Sequence, residues 1–75
     1  MLILFQKDEC HLCDLAVLEL AAARVGDFES VFIDEDDGLV AAYGTRVPVL
    51  RDSATGRELD WPFDAAKLQA FLARK

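Results

Sequence analysis

Residues 7 to 16 read KDECHLCDLA. It holds both cysteines of the chain, Cys10 and Cys13, with two residues between them. Directly before it, Leu2 to Phe5 form a continuous apolar run of strand length, the pattern of a strand buried on both faces. Directly after it, the chain from Leu12 to about Val25 is rich in helix formers, and Gly26 stops it. The cysteines therefore straddle a strand-to-helix junction, with Cys10 at the cap position and Cys13 in the first helical turn. The polar residues Asp14, Glu19 and Arg24 do not share one helix face. This helix is expected to be well covered, with a narrow exposed edge.

Further along, SVFID at residues 30–34 is a second strand candidate, and DDGLVAAYG at 36–44 is a short helix ending at Gly44. RVPVL at 46–50 is β-rich but contains Pro48, which cannot donate to a ladder and belongs at an edge or a bulge. SATG at 53–56 is a turn, and RELD at 57–60 returns as a short antiparallel strand. Asp64 caps a last helix over 65–75, in which Leu68, Phe71 and Leu72 make an apolar stripe. Lys67, Arg74 and Lys75 suit its C-terminal half. The first strand–helix–strand demands a right-handed crossover and a parallel pair, and the later hairpin adds an antiparallel one. The sequence thus predicts one α/β domain over residues 1–75, a mixed four-stranded sheet with helices on both faces, in the order βαβ-α-ββα.

Composition narrows the chemistry. At this length folding hides only about 60% of the surface of the unfolded chain, and a hydrophobic content of 53% offsets that handicap. Fourteen acidic against eight basic residues give a net charge of −6, which repels phosphate backbones and anionic membranes. MLILF is too short for a secretory signal core, lacks a basic leader, and no run approaches membrane-spanning length. The expectation is a cytoplasmic monomer. In that reducing compartment a lone C-x-x-C is catalytic or metal-binding rather than a staple.

At a helix start, unpaired N–H groups and the helix dipole both favour a thiolate on Cys10, the nucleophile of disulfide exchange. Lys7 reinforces this, Asp8, Glu9 and Asp14 oppose it, and His11 helps only when protonated. The expected direction is a lowered Cys10 pKa. Cys10 can attack a substrate disulfide, and Cys13, one turn away, can resolve the mixed disulfide. A metal reading needs four ligands, so it requires a dimer sharing zinc or an iron–sulfur cluster between two cysteine pairs. A third reading is a non-catalytic module that binds a partner through the Val47 edge. A second stretch, TRVPVL at 45–50, bears on this choice. A cis bond between Val47 and Pro48 would free the Val47 backbone to pair with an extended substrate beside Cys10.

KDECHLC after the first strand, with RVPVL about 35 residues later, resembles the glutaredoxin branch of the thioredoxin-fold redoxins, and its small glutaredoxin-like proteins above all. The resemblance implies a thioredoxin-like fold and a thiol–disulfide oxidoreductase active in electron transport. It implies that Cys10 attacks, Cys13 resolves, and Lys7 partners the thiolate or a glutathione carboxylate. It also implies a cis Val47–Pro48 bond packed against the cysteines. No dissociable cofactor and no metal are expected, with glutathione a candidate reductant. The implied partners are a disulfide-bearing protein or a small thiol such as glutathione. Arg46 stands where glutaredoxins often have Thr and is a candidate contact for a substrate carboxylate. The chain departs from the family in placing His11-Leu12, not Pro-Tyr, between the cysteines, which leaves its redox poise open. It also has DWPFD at 60–64 where glutaredoxins have a Gly-Gly turn, so that Trp61 and Phe63 would crowd a glutathione groove.

Overall fold

In a computed structural model describing residues 1–73, the opening apolar run forms β1 (Leu2–Gln6). It lies inside the sheet, so both of its faces are covered: Leu4 is fully buried on one side and Phe5 nearly so on the other. β1 leads into α1 (His11–Ala22), which buries Cys13, Ala16 and Leu20, spaced i, i+3 and i+7 along one stripe. The helix ends before Val25, earlier than Gly26 suggests. Arg24 N–H donates to the Ala21 carbonyl (3.1 Å) and Val25 N–H to the Leu20 carbonyl (3.2 Å), the paired bonds of a Schellman cap. Arg24, not glycine, takes the left-handed position (φ 54°), and Gly26 (φ 84°) serves the turn beyond.

The next strand, β2 (Glu29–Phe32), runs parallel to β1 with Ile3 opposite Glu29 and Gln6 opposite Phe32. It lies earlier than residues 30–34 because β1 runs out at Gln6. Ile33 has left the ladder and is buried, its N–H donating to the Gln6 carbonyl (2.9 Å). Asp36 then caps α2 (Asp37–Tyr43) by accepting from Leu39 N–H (3.0 Å). Gly44 follows where a Cβ would sit 2.5 Å from the Val40 carbonyl oxygen, so close backbone approach requires glycine there.

β3 (Val49–Asp52) is antiparallel to β1, with Phe5 opposite Val49, and β4 (Glu58–Asp60) is antiparallel to β3. The sheet order β2-β1-β3-β4 makes β3 an interior strand. Two expectations change here. The strand begins after Pro48 rather than at Arg46, so the proline costs no ladder bond, and it continues through Arg51 and Asp52. Asp64 caps α3 (Ala65–Ala73) by accepting from Lys67 N–H (2.9 Å). Arg74 and Lys75 lie outside the described residues.

Helices cover both faces. α1 and α3 pack on one through Ala16, Leu20, Leu68 and Phe71, around Leu4 and Leu50. On the other, α2 packs through Tyr43 against Phe5, Ile33 and Val49. The fold is a thioredoxin-like α/β arrangement with a mixed sheet. The exposed edge of α1 is wider than expected: Leu12 (45%) and Leu18 (64%) are exposed. Of the other two helices α3 alone shares its face of the sheet, so the apolar outer residues of α1 stay wet. Among the described residues no helix is long and apolar enough to cross a membrane.

Candidate active site

The loop between β1 and α1 is shaped by two local features. Glu9 adopts the left-handed region (φ 53°), turning the chain so that Cys10 arrives extended at the helix start. Asp34, just beyond β2, accepts a hydrogen bond from Asp8 N–H (3.0 Å) and ties the two loops together. Cys10 is the N-cap of α1: Cys13 N–H donates to its Sγ at 3.1 Å. That bond brings a first-turn N–H directly to the sulfur.

Cys10 and Cys13 are joined as a disulfide, their Cα atoms 5.2 Å apart. The two sulfurs differ in access. Cys13 is only 1% exposed, whereas Cys10 is half-buried and flanked by exposed His11 and Leu12. Of the two cysteines, Cys10 is the one open to solvent at the helix start. Lys7 is exposed on the same loop. Seven exposed carboxylates share this end of the molecule: Asp8, Glu9 and Asp14 around the cysteines, and Asp34, Glu35, Asp36 and Asp37 after the parallel strand β2.

The Val47–Pro48 peptide bond is cis, and so is Trp61–Pro62. With Phe5 opposite Val49, the Val47–Pro48 segment continues to the same end of the sheet as the Cys10 loop. Its backbone is not wholly free, however. Val47 N–H donates to the Tyr43 carbonyl (3.0 Å) and the Pro48 carbonyl accepts from Trp61 N–H (3.2 Å). Among the described residues no donor reaches the Val47 carbonyl, which leaves one backbone atom of Val47 for pairing, not two.

Arg46 is placed differently from the expectation of a substrate contact. Its guanidinium is spent inside the molecule, on Glu58 (2.8 Å) and on both oxygens of Asp60 (2.6 and 3.1 Å), and lies 5.2 Å over the Tyr43 ring. Glu58 also accepts from Tyr43 Oη (2.6 Å) and Arg51 (2.9 Å). Sequence reading missed this cluster, because its members are brought together by the pairing of β3 with β4 and not by spacing. The hydrogen bond from Tyr43, then those from Arg46 and Arg51, lower the Glu58 carboxyl from 4.5 to about 2. The Tyr43 hydroxyl is raised in turn, chiefly by its bond to Glu58.

A carboxyl with a depressed native pKa contributes stability that is present above its unfolded value and lost on acidification. The Glu58 contribution should therefore be complete above about pH 4.5 and fade towards pH 2. Allowing for partial exposure, it amounts to about 2 kcal/mol. Urea unfolding between pH 7 and pH 2.5 should show Glu58→Gln losing less stability than the wild type over that interval; parallel curves would contradict it.

Among the described residues no group of three or more His, Cys, Asp and Glu side chains is arranged to hold a metal ion. A bridging ion would have to draw its ligands from Cys10 and Cys13 of two copies.

On the face of the sheet that α1 and α3 cover, Trp61 packs edge-on against buried Phe63 (centroids 5.1 Å apart) just before α3. Asp64 spends one oxygen on its cap.

Comparison with known proteins agrees with this fold. Target protein XcR50 from X. campestris has an X-ray structure that superposes with a TM-score of 0.95 at 63% identity, covering 100% of this chain and 99% of that one. Its solution structure gives 0.91 at 64% identity, with coverage of 99% and 94%. Protein Ne2328 from Nitrosomonas europaea is more distant, with a TM-score of 0.78, 27% identity and coverage of 93% and 87%. No curated protein matches the sequence. The family model described as Glutaredoxin-like domain (DUF836) matches residues 1–73, and with that match this chain belongs to the glutaredoxin-like family.

Proposed function

We propose that the protein is a cytoplasmic dithiol–disulfide oxidoreductase in which Cys10 attacks and Cys13 resolves. The observation that carries this reading is the unequal access of two bonded sulfurs at a helix start, Cys10 half-buried at the cap and Cys13 enclosed behind it. In the reduced protein the Cys10 thiolate attacks one sulfur of a substrate disulfide. A mixed disulfide forms, and the other substrate sulfur leaves as a thiolate. Cys13, deprotonated, then attacks Cys10 Sγ, the mixed bond breaks, and the second substrate thiolate departs. Two electrons have moved, and the Cys10–Cys13 bond replaces the substrate's. Two thiols of glutathione or of a reductase restore the pair.

The Val47 carbonyl would accept a backbone N–H from an extended substrate beside Cys10, with Pro48 fixing the segment and Lys7 offering a cation at the rim. The partner we favour is a disulfide-bearing protein. The carboxylates around the pair disfavour anionic glutathione as the substrate, and Trp61 and Phe63 stand where glutaredoxins have a glycine turn. No cofactor, nucleic acid or membrane enters the scheme, and the chain would act as a monomer.

A redox titration against glutathione buffers, quenched with a thiol-alkylating mass tag, tests this. We expect one two-thiol transition between Cys10 and Cys13 at a potential of about −220 to −320 mV, the cytosolic range. A pair that stays reduced throughout, or that takes up glutathione without closing on itself, would sink the dithiol scheme.

A further inference from the structure

We propose that Arg46, gripped by Glu58 and Asp60, is a positioning residue that presents the Val47 carbonyl to a disulfide substrate. The inference rests on the redox reading above and assigns Arg46 a part in substrate affinity that involves no contact with substrate.

The segment Arg46–Pro48 belongs to no strand or helix, so no ladder fixes it. It is held at four points. Arg46 N–H and Val47 N–H both donate to the Tyr43 carbonyl, at 2.8 and 3.0 Å. The Pro48 carbonyl accepts from Trp61 N–H. The fourth hold is the Arg46 guanidinium, which reaches across to two carboxylates of β4. Tyr43 is itself fixed, its ring stacked on Phe5 with centroids 4.2 Å apart and its hydroxyl on Glu58. Glu58 thus receives α2 through Tyr43, the loop through Arg46 and β3 through Arg51.

The consequence for Val47 is geometric. The residue before it is anchored through its side chain and the residue after it through its carbonyl, so the orientation of the Val47 peptide is set from both ends. Its carbonyl is the one polar backbone atom of Val47 to which no described donor is assigned. Exposed ion pairs alone contribute little to stability. A planar fork bound to two carboxylates does fix direction, and holding an acceptor in its bound orientation spares the ordering cost on association. Sulfur chemistry sits on α1, which Arg46 does not touch through any of these bonds.

The clamp therefore acts on binding and leaves the thiols alone. Arg46→Met keeps the length of the stem and removes the fork. With insulin disulfides as the probe substrate, it should raise KM about 10-fold while kcat stays within about 2-fold, the split expected when orientation is lost and the chemical step is not. The rate at which iodoacetamide alkylates Cys10, and the redox potential of the pair, should match the wild type. Arg46→Lys keeps the charge and, as the milder change, should recover part of the wild-type KM.

A KM unchanged in both variants overturns the clamp while leaving the redox reading intact. So does a parallel change in KM, kcat and alkylation, since that is the mark of general destabilisation. A wild-type chain that leaves the insulin disulfides unreduced overturns both.

Discussion

Cys10→Ser should lose at least about 10³-fold in the rate of disulfide reduction, the scale on which removing a covalent nucleophile is felt. A serine hydroxyl at the cap still accepts the Cys13 N–H, so the variant should fold and keep its helix start. What it lacks is a nucleophile that ionises near neutral pH. Cys13→Ser should behave otherwise. Cys10 remains half-buried and able to attack, but nothing stands behind it to release the product. Mixed disulfide should accumulate on Cys10 to nearly one per chain, visible as a mass increase that dithiothreitol reverses. The two variants then separate the roles: one blocks the first step, the other traps its product. Trapping on Cys13 in the Cys10→Ser chain would reverse the assignment. Equal residual activity in both would favour a binding module over an enzyme.

Much of this arrangement could be read from residue order. Leu2 to Phe5 carry no polar residue, and a strand of that kind has both faces covered, as β1 has. A C-x-x-C at a strand-to-helix junction places one sulfur at the cap and the other in the first turn through helical geometry alone. The limits of β2 and β3 were less legible. A strand lasts as long as its neighbour does, so β2 stops opposite Gln6, and β3 waits until Pro48 is past. The outer side of α1 was misjudged for a related reason. Apolar residues all round a helix state what could be buried, whereas the number of neighbouring helices decides what is.

The candidate site was legible where it is local and hidden where it is tertiary. Arg46 next to Val47–Pro48 invites a substrate-binding reading, since sequence shows its charge and not its partners. Glu58 and Asp60 are twelve and fourteen residues away, and only the return of β4 alongside β3 brings them to it. Asp34 escapes notice similarly. It lies 26 residues from Asp8, whose N–H it accepts, because a parallel crossover separates the two loops in sequence and joins them in space.

The charge around Cys10 leads to the second large effect. Seven exposed carboxylates stand at this end, with Lys7 on the same loop as Cys10 and the Arg46 guanidinium paired internally. A unit charge about 10 Å from another feels about 0.4 kcal/mol in water, so several acting together on a doubly charged small disulfide reach about 1–2 kcal/mol at low salt. Cystamine carries two positive charges at pH 7, and oxidised glutathione is an anion. At about 10 mM ionic strength the reduced protein should therefore react with cystamine at least about 10-fold faster than with oxidised glutathione, after correction for their rates with a free thiol. The Debye length falls from about 30 Å there to about 3 Å at 1 M, so the preference should largely collapse at high salt. Asp34→Asn would be a poor probe, since the Asp34 carboxylate also accepts the Asp8 N–H and holds the Cys10 loop. Glu9→Gln with Glu35→Gln removes two charges without touching a described hydrogen bond and should narrow the ratio. A preference for glutathione that persists at 1 M salt would mean that specific contacts to the tripeptide outweigh the field, and glutathione would then replace a protein disulfide as the favoured partner.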